Sequence, residues 1–179
     1  MKHLTIDDVH TAITVLGVGN PIMGDDGVGL ALLAAVQELC PDSRVEFIDG
    51  GTVGMALLPT VQDASRLLIL DAVAGQTAGE VVELEDDQIA RLGFTKLSPH
   101  QVDLLDVFAA ARLLGREPDL VKVIGVVPES VELRLELSPV VAAAVPAAAA
   151  KAAAVISRWL GETATTDSQA KAAGCQGLD

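Results

Sequence analysis

The stretch from Ile13 to Val36 constrains this 179-residue chain more than any other. A short, mostly apolar run, Ile13–Val18, enters a glycine-rich turn, Gly17-Val18-Gly19-Asn20-Pro21-Ile22-Met23-Gly24, that ends in two carboxylates, Asp25 and Asp26. Beyond them Val28, Leu32, Leu33 and Val36 recur at near-helical spacing. That order predicts a buried strand, a tight turn and an amphipathic helix. Phosphate-binding turns of this build offer bare backbone N–H groups and the positive end of a helix to an anion. This turn delivers negative charge to the same place, which suits a cation. The dinucleotide pattern G-x-G-x-x-G would also need glycine at position 22, where the chain has Ile22.

The same alternation continues. Val45–Ile48 reads as a second strand ending at Asp49-Gly50-Gly51-Thr52, followed by a short helix through Met55–Leu58. Leu67–Leu70 is a fully apolar third strand that ends at Asp71. Glu80–Leu84 alternates apolar and acidic residues as an edge strand does. A short helix is expected over Asp86–Leu92 and a loop over Gly93–Ser98. A helix over Gln101–Leu114 follows, opened by Pro99-His100 and closed by Gly115. Val121–Val126 completes the strands, and Ser138–Leu160 is a long Ala-rich helix with Pro139 in its first turn and Pro146 as a kink. These elements predict one α/β domain over residues 1–161. Its expected architecture is a three-layer sandwich, a mostly parallel, twisted five-stranded sheet with helices on both faces. Residues 162–179 lack periodicity and are expected to be a disordered tail. With Phe47, Phe94, Phe108 and Trp159 as the only aromatics, the core must be aliphatic.

The net charge of −13 argues against nucleic acid and against an anionic membrane surface. Cys40 and Cys175 provide neither a disulfide framework nor a C-x-x-C metal site. No apolar signal region precedes Thr11, and the Ala-rich run is interrupted by Pro146 and Lys151, so a cytoplasmic location is expected.

In parallel sheets, ligands bind outside the carboxyl ends of strands, near a topological switch point. Asp25/Asp26, Asp49 and Asp71 each follow a different predicted strand and would share one rim. Each also has a plainer explanation. One of Asp25 and Asp26 can cap the following helix, worth about 0.5–2 kcal/mol, and Asp71 can form a turn. Asp49-Gly50-Gly51-Thr52 is either a tight turn or a corner that lets a peptide backbone approach closely. His100 stands where capping-region residues stand; as a ligand it would complete a carboxylate–carboxylate–imidazole set suited to zinc, nickel or iron. Glu83, Glu85, Asp86 and Asp87 read as a solvated face. No serine-nucleophile elbow, nucleotide P-loop or H-E-x-x-H helix is present, and Cys40 reads as structural.

Taken in order, these residues resemble the maturation endopeptidases of nickel–iron hydrogenases. The resemblance is carried by Gly17-Val18-Gly19-Asn20 with Asp25-Asp26-Gly27-Val28-Gly29, by Asp49-Gly50-Gly51-Thr52 with Gly54, and by Leu70-Asp71-Ala72. It continues in Ser98-Pro99-His100-Gln101, Ile124-Gly125-Val126 and Pro128-Glu129-Ser130. It implies an endopeptidase that removes a C-terminal extension from the nickel-loaded hydrogenase large-subunit precursor, with nickel supplied by that partner. It further implies Asp26, Asp71 and His100 as metal-contacting residues, Asp26 and Asp71 as the catalytic carboxylates, and Asp49, Gly50, Gly51 and Thr52 as a substrate-recognition stretch. Some relatives carry Glu where this chain has Asp26, whose carboxylate is one methylene shorter. A single compact domain acting on a large partner is expected to be a monomer. Two other classes compete: a nickel-dependent checkpoint protein that binds the precursor without cutting it, and a nucleotide-binding domain, which Ile22 disfavours.

Overall fold

Three apolar runs form the centre of the sheet: Ile13–Val18 is β1, Arg66–Ala72 is β3 and Leu120–Val126 is β5. Val45–Gly51 is β2 and Val81–Glu85 is β4. The structure, a computed structural model, describes residues 13–52, 54–85, 88 and 99–174, with the helical residues 99–103 and 163–174 described by their backbone alone. The five strands lie in the order β2-β1-β3-β5-β4. Pairing is parallel from β2 through β5, while β4 runs antiparallel to β5 at the edge. The expected five-stranded, mostly parallel α/β architecture is therefore observed.

Residue alternation along each strand divides the core between two faces. On one, Val15, Leu68, Leu70 and Ile124 meet α1 (Val28–Leu39) and α4 (Pro139–Gly174) through Leu32, Val36, Ile156 and Trp159. On the other, Leu16, Leu67, Ile69 and Val123 meet α2 (Leu58–Asp63) and α3 (Pro99–Leu113) through Val61, Leu104 and Val107. The segment Pro139–Glu162 of α4 is long and apolar enough to cross a membrane, with mean hydropathy 1.8. Here Val141, Ala148, Ala152, Ile156 and Trp159 bury one side of it in the core.

Several boundaries differ from expectation for physical reasons. Neither acid caps α1: Asp25 and Asp26 sit in a preceding 3-10 turn, Gly24–Gly27, and the N-cap Gly27 makes no side-chain cap bond. β3 continues through Asp71 because its backbone still pairs with Gly125 of β5. α3 begins at Pro99, which the first helical turn tolerates. α4 passes Gly161 and continues to Gly174, through a segment whose Glu, Gln, Lys and Ala residues favour helix despite its threonines. Glu83 and Glu85 are not merely a solvated face. They reach across to Lys122 of β5, Glu83 at 3.0 Å, and cover its nearly buried ammonium. The expected helix over Asp86–Leu92 and loop over Gly93–Ser98 lie outside the described residues, apart from residue 88.

Candidate functional site at the switch point

From β1 the chain crosses through α1 to β2; from β2 it returns through α2 on the opposite face to β3. The carboxyl ends of β1 and β3 therefore flank a switch point, where the diverging connections leave a crevice. Gly29 lets α1 close tightly over it, since a Cβ there would lie 2.1 Å from the Val18 carbonyl oxygen and 2.4 Å from that of Leu70. Gly19, at φ +133°, lets the turn fold back on itself; a Cβ would meet the Asp26 carbonyl oxygen at 1.9 Å.

That folded turn fixes Asp26, which is buried and accepts a 2.9 Å hydrogen bond at Oδ2 from the Asn20 N–H. Asp71 is buried at the end of β3 and accepts at Oδ1 from the Ala72 N–H at 2.7 Å. Strand alternation puts Asp71 on the same face as Leu67 and Ile69, the face that α3 covers. The far end of α3 leads into the start of β5, so this 15-residue helix, about 22 Å long, begins at the carboxyl edge of the sheet. His100 lies in that first turn. The backbone thus gathers the segments bearing Asp26, Asp71 and His100 at one rim. The imidazole of His100 lies outside the described residues, and among the described residues no three His, Cys, Asp or Glu side chains gather as a metal site.

Asp49-Gly50-Gly51-Thr52 occupies the neighbouring corner. The β1–β2 register pairs Gly17 with Asp49 and Val18 with Gly51, so Gly50 is a bulge. The exposed Asp49 accepts a 2.9 Å bond from the Gly51 N–H, and the Gly51 carbonyl accepts from the Gly19 N–H at 3.0 Å. The corner is thereby joined to the turn that carries Asp26.

The adjacent acid does something the sequence did not reveal. Asp25 is wholly buried and staples the turn to the loop between β5 and α4. Its Oδ2 accepts from the Glu129 and Ser130 N–H groups at 2.9 and 3.1 Å and from the Ser138 hydroxyl at 2.8 Å. Its Oδ1 accepts from the Ser138 N–H at 2.6 Å, with the Arg134 guanidinium 3.7 Å away. Burial pushes this carboxyl up, but the hydrogen bonds from Ser138, Ser130 and Glu129 outweigh it and hold it below the ordinary carboxylate range. Ser138 in turn caps α4, its hydroxyl accepting from the Val141 N–H. These partners lie 104 to 113 residues further along the chain, where local spacing carries no signal. Cys40 is half-buried at the end of α1; burial and the nearby Asp42 push its thiol up, away from the reactive thiolate.

Fold and rim together define an α/β protein with two buried carboxylates, Asp26 and Asp71, beside the switch point of its sheet. The family model for hydrogenase maturation proteases, HycI, matches residues 30–155, a stretch that holds Asp49–Thr52, Asp71 and His100, and the chain belongs to that family. The hydrogenase 2 maturation protease of Escherichia coli K12 is 38% identical over 135 residues, covering 73% of this chain and 82% of its own. The hydrogenase expression/formation protein HupD of Rhodobacter capsulatus is 36% identical over 151 residues, 82% of this chain and 72% of its own. The solved structure of the hydrogenase maturating endopeptidase HybD from E. coli superposes with a TM-score of 0.76 at 34% identity, over 82% of this chain and 92% of that one.

Proposed function

We propose that this protein is a cytoplasmic endopeptidase that removes the C-terminal extension of a nickel-loaded hydrogenase large-subunit precursor, and that the substrate's nickel is its recognition signal. The observation that carries this reading is the pair of buried carboxylates, Asp26 and Asp71, at the carboxyl ends of neighbouring strands in a member of the hydrogenase maturation protease family. Hard oxygen donors with an imidazole from the first turn of α3 form a mixed set that suits nickel. Such a set is incomplete by itself and leaves positions for ligands that the precursor provides.

A bound cation can polarise the scissile carbonyl and lower the pKa of water. Asp26, Asp71 and His100 hold or sense it, and one of the two carboxylates takes the proton from the attacking water. Asp49–Thr52 guides the substrate backbone along its exposed ends, Asp49 and Thr52, while the buried Gly50 packs against Leu16 and holds the corner in place.

The test is cleavage of the unprocessed precursor, with and without nickel, read by mass spectrometry. Nickel-dependent loss of one C-terminal peptide is expected over many turnovers. Asp71→Ala and His100→Ala are each expected to abolish it while leaving circular dichroism unchanged. Wild-type cleavage by either variant would remove that residue from the mechanism. Tight nickel-dependent binding without cleavage would instead make the protein a checkpoint.

A further inference from the structure

The turn that carries Asp26 has a second segment, Glu132–Glu136, lying against it. The Arg134 N–H donates to the Ile22 carbonyl at 3.0 Å and the Gly24 N–H to the Arg134 carbonyl at 2.7 Å, a parallel bridge between Met23 and Arg134. The Arg134 guanidinium, itself part-exposed, reaches to within 3.7 Å of Asp25, and its neighbours Leu133 and Leu135 are each 80% exposed. Ile22, 49% exposed, stands on the adjoining segment. Single exposed leucines are ordinary, but three large exposed apolar side chains on two segments joined by one bridge form an apolar ridge of the kind that marks a contact surface. This ridge is also rigidly placed, since the hydrogen bonds to Asp25 and the Met23–Arg134 bridge anchor both of its segments.

Its surroundings select the partner. Glu132 and Glu136 flank the two leucines and Glu129 lies in the same loop, all three exposed. The Arg134 guanidinium is engaged with Asp25 and with the Glu136 carbonyl, so it offsets little of that negative field. We propose that this ridge docks the protein substrate, taking an apolar segment of the precursor flanked by Lys or Arg. A segment seated on Ile22, Leu133 and Leu135 rests on the same turn that presents Asp26, and so leads into the switch-point crevice. The proposal rests on the endopeptidase reading for the identity of the substrate, but not for the existence of the surface.

The experiment compares wild type with a Leu133→Ser/Leu135→Ser variant and a Glu132→Gln/Glu136→Gln variant. Cleavage kinetics and direct binding of the nickel-loaded precursor are measured, with thermal melting as the folding control. The leucine variant is expected to melt like wild type and keep kcat within about two-fold. Its KM and Kd should rise about ten-fold, which corresponds to about 1.4 kcal/mol. The glutamate variant is expected to bind more weakly and to lose part of the salt dependence of Kd. A folded leucine variant with wild-type Kd and KM overturns the docking surface. So does a wild-type dimer that this variant dissociates, because the ridge would then be a contact between copies of the chain. Wild type that binds the precursor through the ridge but never cuts it overturns the endopeptidase reading alone. Wild type that neither binds nor cuts overturns both.

Discussion

Two adjacent, chemically identical residues have been given separate work. Asp26 accepts from the Asn20 N–H within its own turn, whereas Asp25 reaches the β5–α4 loop and gathers four hydrogen bonds from Glu129, Ser130 and Ser138. The difference is one of direction, set by the 3-10 turn that holds both. Asp25→Asn would leave an amide that cannot accept all of those bonds, stranding buried donors; a loss of about 3 kcal/mol at pH 7 is expected in urea denaturation. The pH dependence has a definite sign. The folded carboxyl lies below its ordinary value of 3.8, so the charged form contributes its stability in full above that value. The contribution is lost as pH falls through the lower folded pKa. Wild type should therefore lose stability steeply below pH 3.8, and the Asn variant less so. Parallel slopes for the two proteins would show that other carboxylates govern acid unfolding.

At the scale of elements, β4 shows how an edge strand is fastened. Its apolar–acidic alternation marked it correctly as an edge, but the destination of its acids depended on a residue 37 to 39 positions away. Burial pushes the Lys122 ammonium down, while the hydrogen bonds it donates to Glu85 and Glu83 outweigh that and raise it. The ammonium's share of the stability is therefore present through neutral pH and is lost above the ordinary lysine range, while Glu85, held below the ordinary carboxylate range by Lys122, loses its share in acid. Removing both acids, as Glu83→Gln/Glu85→Gln, leaves a buried cation unpaired and should lower Tm. Lys122→Met removes the need for them and should leave Tm unchanged or higher; a large fall in Tm for the methionine variant would contradict this account. α1 depends on a missing side chain instead. Gly29→Ala places a methyl against the Val18 and Leu70 carbonyls, backbone atoms that cannot rotate away. It should destabilise the fold by about 1–3 kcal/mol or more, as overpacking does.

At the scale of the whole molecule, both cores share the same strands. Val15 and Leu16, consecutive residues of β1, belong to opposite faces. Unfolding one face should therefore unfold the other. Leu16→Ala and Leu32→Ala are each expected to cost about 2–5 kcal/mol and to lower one common calorimetric transition; two separable transitions would refute the coupling. The alternation of apolar runs and helical spacings was enough to determine the α/β class, the edge strand and the run of segments ending in Asp26, Asp49 and Asp71, because burial on a sheet imposes local periodicity. The glycine-rich turn with its acids likewise announced the candidate site. Tertiary structure alone decided that Asp25 is the acid tied to the β5–α4 loop, that Lys122 is covered by β4, and that the segment of Leu133 and Leu135 is bridged to that of Ile22. Those assignments rest on contacts between residues far apart in the chain. A carboxylate's sequence neighbours do not record which distant N–H groups the folded backbone will bring to it.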